Sequence, residues 1–249
     1  MHNDVFAKLA EKYSENLPRS KTDMMMDISQ ILEGFCDEAD TSCRNLAYEA
    51  TLKQFSADVS EFKDVEYPGH FHSGLKDSFN EIGEAMRQID HDNLDDITDT
   101  IEEITAQMRD MEDVDAAQRT VALSAASIAL ESTKLWHNVF VGDESHHLRK
   151  LQGISDIMDF TDAQVFGPLE FIWKVAGADA AAAMNNGINI LEAIGTNTAD
   201  AIFAFGPVLV ISLIYFAVPA SAAAFATFGL AGLAIAIPGI QESDILPLP

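Results

Sequence analysis

The stretch Ala201–Ile240, AIFAFGPVLVISLIYFAVPASAAAFATFGLAGLAIAIPGI, runs for forty positions without a charged side chain. At 1.5 Å per residue a helix of that length reaches about 60 Å, roughly twice the hydrocarbon thickness of a bilayer. Two spans therefore fit it better than one. Pro219 stands at the midpoint, where a proline removes a backbone donor and breaks a helix. The half before it carries large side chains, and the half after it is rich in Ala and Gly, which let helices approach closely. The reading is an apolar helical hairpin embedded in lipid through Ile202, Phe203, Phe205, Leu209, Ile211, Leu213, Phe216, Phe225, Leu230, Leu233 and Ile235. Gly206-Pro207 and Pro219 bracket only about a dozen apolar residues, so the first span needs a kink at Pro207, or the pair dips in and returns. A hairpin hidden in the bundle until triggered, or kept there, is the competing reading.

Outward from this run the composition reverses. The 249 residues hold 40 acidic and 15 basic side chains, a formal charge of −25. Such a chain repels nucleic acid phosphates and has no basic patch for anionic lipid. No Lys or Arg follows Lys174, so the positive-inside rule has only Arg149, Lys150 and Lys174 to count. They place the body on the cytoplasmic-like side of a membrane whose organelle stays open. The N-terminal MHNDVFAKLAEKYSENLP lacks an apolar h-region, so no signal peptide is expected. The short tail after Ile240, QESDILPLP, is polar and proline-rich.

Before the run, the pattern is helical throughout. Val5, Leu9, Tyr13 and Leu17 share one face of a first helix, which Pro18 stops. Met24, Ile28, Ile31, Leu32 and Phe35 form the face of a second. A third opens at Thr41 or Ser42 with the seam Tyr48, Leu52, Phe55, Val59, Phe62, in coiled-coil spacing. After the turn Tyr67-Pro68-Gly69 comes Phe71, Leu75, Phe79, Ile82, Met86, Ile89, and then Leu94, Ile97, Ile101, Ile104, Met108, Met111. Asp95, Asp96, Asp99, Glu102, Glu103 and Asp110 flank this last seam, and a solvated acidic face is the expectation. Residues 116–140 carry little charge and should form the central, most buried helix. The expected architecture is all-α: an antiparallel bundle with coiled-coil-like seams over residues 1–165, followed by the apolar hairpin. Residues 166–200, rich in Ala, Asn and Gly, read as a linker or an interfacial amphipathic helix, with Met184, Ile188 and Leu191 on one side and Asn185, Asn189 and Glu192 on another.

Cys36 and Cys43 make no metal framework. On one continuous helix they would lie about 10 Å apart along its axis, beyond disulfide reach. The intervening DEADTS resembles a helix end plus a new N-cap, so a turn can join them; the spacing favours two unpaired core residues, with a disulfide as the alternative. Glu144-Ser145-His146-His147 holds one Glu-x-x-His, whereas a di-iron bundle needs two and further carboxylates. His70 and His72 flank a turn and read as exposed. No Gly-rich phosphate loop or hydrolase elbow occurs. The sequence thus points to no enzyme, no cofactor and no metal. It points instead to a membrane-anchored scaffold or accessory subunit, whose partners are the bilayer and another protein or a second copy of itself. The alternatives are a pore-forming or membrane-remodelling protein and, more weakly, a metal-binding bundle.

Overall fold

Phe71, Leu75, Phe79, Ile82, Met86 and Ile89 recur every three or four residues, and each is buried. Helical periodicity is the reason: at 3.6 residues per turn this spacing gathers them on one face. The same holds for Ile97, Ile101, Ile104 and Met108 on the next helix, whose acidic residues Asp95, Asp96, Asp99, Glu102 and Glu103 point to solvent. In the computed structural model, residues 2–13, 21–36, 40–56, 62–90, 92–141 and 168–194 are described. They form α1 (His2–Tyr13), α2 (Lys21–Glu33), α3 (Thr41–Ser56), a 3-10 turn (Phe62–Asp64), α4 (Ser73–Met86), α5 (Leu94–Asp110), α6 (Ala116–Phe140) and α7 (Pro168–Ile194). Among the described residues every regular element is helical, so the chain is an all-α bundle. No helix among them is long and apolar enough to cross a membrane. The run 201–240, with its lipid-facing set from Ile202 to Ile235, lies outside the described residues.

Local chemistry fixes the turns. Asp115 caps α6 by accepting from the backbone N–H groups of Ala117 at 2.9 Å and Gln118 at 3.2 Å. Arg119 reaches back to donate to the Met111 carbonyl at 2.6 Å, tying the end of α5 to the start of α6. Between α4 and α5, Asn93 donates to the Gln88 carbonyl at 2.8 Å. Asp40, not Thr41 or Ser42, caps α3: its carboxylate accepts from Cys43 N–H at 3.0 Å.

Two departures from the expected pattern matter. On α3, Tyr48 and Leu52 are exposed, at 43% and 41%, while Ala47, Ala50, Thr51 and Phe55 are buried. The buried face keeps Phe55 of the expected seam but replaces Tyr48 and Leu52 with Ala47, Ala50 and Thr51. Cys36 and Cys43 are bonded, with Cα atoms 5.8 Å apart, which ties the end of α2 to the start of α3. Cys43, Ala47 and Ala50 share a face, and the two alanines on it are fully buried. The seam's last members part company too: Val59 is outside the described residues, and Phe62 is buried from the 3-10 turn instead.

The second concerns 166–200, read as a linker or an interfacial amphipathic helix: α7 fills 168–194 and is packed into the core. Among the described residues, its packing on α6 is the most extensive between two helices. Ala122, Ala125, Ala126 and Ala129 of α6 and Ala176, Ala180, Ala181 and Ala183 of α7 are buried, and such small side chains let backbones come close. Within this seam Asp179 is fully buried and accepts a hydrogen bond from the Ser132 hydroxyl, which offsets part of the cost of burying a carboxylate. α6 also contacts α5 and α4, and its Trp136 meets Phe6 of α1 edge-on at 5.1 Å. It is the central helix, as its low charge predicts.

Candidate functional site

The segment from Phe62 to His72 joins the 3-10 turn to α4, and its side chains anchor it to three helices. Phe62 wedges its ring against Phe79 of α4, with centroids 4.7 Å apart. Gly83 of α4 makes room for that ring, since a Cβ there would lie 2.7 Å from Phe62 Cγ. On the α7 side, the Asn185 side-chain oxygen accepts from Glu66 N–H at 3.3 Å. On the α6 side, Gln118 accepts from His72 N–H at 2.7 Å and donates to the His70 carbonyl at 3.2 Å. One amide thus clamps the turn from both ends.

Tyr67 stands at the centre of this segment, its ring 5.3 Å from that of Phe71. Its hydroxyl is buried with no hydrogen-bond partner, and burial holds the phenol above its ordinary pKa. It is therefore protonated at neutral pH.

Tyr67 lines two clefts. The first, about 420 Å³, is lined by Phe62, Lys63, Val65, Tyr67, Lys76, Asn80, Glu84 and Arg87. Three cations there face one carboxylate. The second, about 400 Å³, is lined by Lys53, Gln54, Asp64, Glu66, Tyr67 and Pro68, and by Ala182, Asn185, Asn186, Ile188, Asn189 and Glu192 of α7. Here one cation faces three carboxylates. Asn186 is 7% exposed and its amide nitrogen has no partner. The polar side expected for 166–200 is the wall of this second cleft.

Held aromatic faces orient the cations of the first cleft. Lys76 Nζ lies 5.5 Å from the Tyr67 ring centroid. Arg87 sits 5.2 Å over the Trp173 ring while it donates to Glu84 at 2.6 Å. Lys174 also lies 5.0 Å from the Trp173 ring.

The other sequence candidates distribute as follows. His70 is exposed and His72 half-buried, with its Nδ1 buried and without a hydrogen-bond partner. Glu144 to His147 lie outside the described residues. Among the described residues no three His, Cys, Asp or Glu side chains are grouped to hold a metal ion. The two clefts carry no sequence signature, because their residues come from four separate elements. Comparison with protein-family models, curated proteins and solved structures finds no match to this chain.

Proposed function

We propose that the protein is a non-enzymatic helical scaffold or accessory subunit, anchored in a membrane by residues 201–240 folded as a hairpin. The observation that carries this reading is the forty-residue uncharged run in a chain of net charge −25. Burying such a run in lipid releases apolar surface from water at about 25 cal/mol per Å². The described bundle supplies the support. α7 ends at Ile194, a few residues before the run, and is built into the core through its seam with α6. An anchor attached there is tied to a packed helix. Neighbouring helices joined by short turns run up and down in this reading, and the body presents its acidic faces to protein partners.

Single cysteines at Ile211, Leu233 and Ser243, in a chain whose native pair remains bonded, test the anchor with a membrane-impermeant thiol reagent. Protection at Ile211 and Leu233 that detergent abolishes, with Ser243 labelled from the side of the body, is the expected hairpin. Labelling of Ile211 in intact membranes refutes the anchor. Detergent-free monomers that release dye from liposomes would replace it with the pore-forming alternative.

A further inference from the structure

We propose that Met111 is an oxidative modification site: a peroxide converts its thioether to the sulfoxide, whose oxygen accepts a hydrogen bond from the His72 imidazole and fastens the lead of α4 to the end of α5. The inference stands independently of the membrane anchor. It begins from a gap. Gly74, in the first turn of α4, has no Cβ, and the point where one would lie is 3.2 Å from His72 Nδ1 and 3.2 Å from Met111 Sδ. Ring nitrogen and sulfur thus border the same glycine-made space from two elements, His72 at the N-cap of α4 and Met111 at the C-cap of α5. Nδ1, a donor in its protonated tautomer, is buried without a hydrogen-bond partner. A thioether is too weak an acceptor to satisfy it. Arg119, which donates to the Met111 carbonyl at 2.6 Å, likewise has a buried Nε without a partner. Buried donors left unpaired cost stability. Both belong to residues around a side chain that oxidation turns into an acceptor.

The chemistry is a two-electron oxidation. A sulfur lone pair attacks one oxygen of the peroxide, and the O–O bond breaks as the S–O bond forms. The departing hydroxide takes the proton from the new S–OH group and leaves as water, so sulfur is oxidised and the peroxide reduced. Thiols that would consume the oxidant first are absent, because the chain's two cysteines are bonded to each other. Met111 is half-buried, within reach of a small oxidant, whereas Met24, Met86, Met108 and Met184 are at most 3% exposed. A sulfoxide in a core with no donor to meet it disrupts packing. Here the oxygen has a gap beside Gly74 and a donor at its edge. Gln118 already clamps His72 and His70 to α6, at 2.7 and 3.2 Å. Oxidation adds α5 to that clamp and steadies the segment that carries Tyr67.

The test exposes the full chain in mild detergent to dilute hydrogen peroxide and follows each methionine by peptide mass spectrometry. Melting temperatures are compared with an equally treated Met111→Leu chain, which controls for oxidation elsewhere, at the exposed Met26 above all. Met111 should oxidise before Met24, Met86, Met108 and Met184. Treatment should raise the Tm of the parent by about 2 °C or more relative to its effect on the control. His72→Phe, which keeps a ring without its nitrogens, and Gly74→Ala, which fills the gap, should each abolish that gain, and methionine sulfoxide reductase should reverse it. The site is overturned by a Met111 that stays reduced after Met86 and Met108 have oxidised, by a treated parent that loses more stability than the control, or by a gain that persists in His72→Phe. If His72→Phe does not fold, the imidazole nitrogen resonances of the parent decide: oxidation should move that of His72 Nδ1, and an unchanged resonance refutes the hydrogen bond.

Discussion

Phe62 is held between two glycines, and the difference in space beside them makes opposite predictions for the same substitution. At Gly83 an added Cβ would lie 2.7 Å from Phe62 Cγ, 2.9 Å from Cδ1 and 3.1 Å from Cβ. Those atoms are the root of the side chain, which cannot swing away, and the ring already meets Phe79 at 4.7 Å. Overpacking of this kind costs about 1–3 kcal/mol. Replacing glycine by alanine inside a helix returns about 1 kcal/mol. Gly83→Ala should therefore lose about 1 kcal/mol net, a fall in Tm of about 2–4 °C for a chain of this size. At Gly177 the same Cβ would lie 3.6 Å from Phe62 Cδ2 and Cε2, an ordinary van der Waals contact. Gly177→Ala should keep the propensity gain and raise Tm by about 2–4 °C. Far-ultraviolet circular dichroism melts of the full chain in mild detergent measure both. Phe62→Leu in the Gly83→Ala background should recover part of the loss, a coupling read by a double-mutant cycle. If Gly83→Ala is as stable as the parent, or Gly177→Ala melts lower, the placement of Phe62 between α4 and α7 is wrong.

Four further outcomes follow from the same packing. Reducing the Cys36–Cys43 bond, which closes a short loop at a sequence separation of 7, should cost about 2 kcal/mol, seen as a lower Tm with reductant than without. Tyr48→Ser and Leu52→Ser should each change stability by less than about 0.5 kcal/mol, whereas Ala47→Leu should cost about 1–3 kcal/mol; denaturant titrations showing the reverse would restore the expected seam. Burial, with Asp27 and Asp23 close to Tyr13, raises the phenol pKa of both Tyr13 and Tyr67 in the folded state. Their contribution to stability is complete below the unfolded value of about 10 and is lost as pH climbs above it, so these two phenolates should appear at 295 nm together with alkaline unfolding. Because self-repulsion at −25 is screened over about 10 Å in 0.1 M salt, Tm should rise from low to moderate sodium chloride; a flat profile would mean that the acidic faces are balanced locally.

The parts of the bundle legible in the sequence are those where large apolar residues carry the burial. α4 and α5 present Leu, Ile, Phe and Met at strict spacing between charged flanks, so period and face agree. α3 misleads because its buried residues are Ala47, Ala50 and Thr51, while two large side chains happen to lie outside. Hydrophobic size is a poor guide where small side chains carry the burial. In α7 the helix is legible as one of two readings, but its place in the core is not, for a related reason. Its buried residues are mostly alanines, and Asn185, Asn189 and Glu192 give its C-terminal half the texture of a surface segment. The first cleft has no sequence signature because Lys63 precedes α4 while Lys76 lies on it and Arg87 caps it, and the packing of Phe62 against Phe79 brings the first beside the other two.

The α6–α7 seam bears on where the folded body ends. Without α7, the buried Ser132 of α6 would lose the carboxylate it holds. Phe62 would lose the wall formed by Gly177, and Glu66 the amide of Asn185. The segment that carries Tyr67 is thus positioned by α7 as much as by α4. Both clefts depend on it, the cationic one through Trp173 beside Arg87 and the acidic one through Asn185, Asn186 and Glu192. The element that precedes the uncharged run is therefore the one that shapes both clefts.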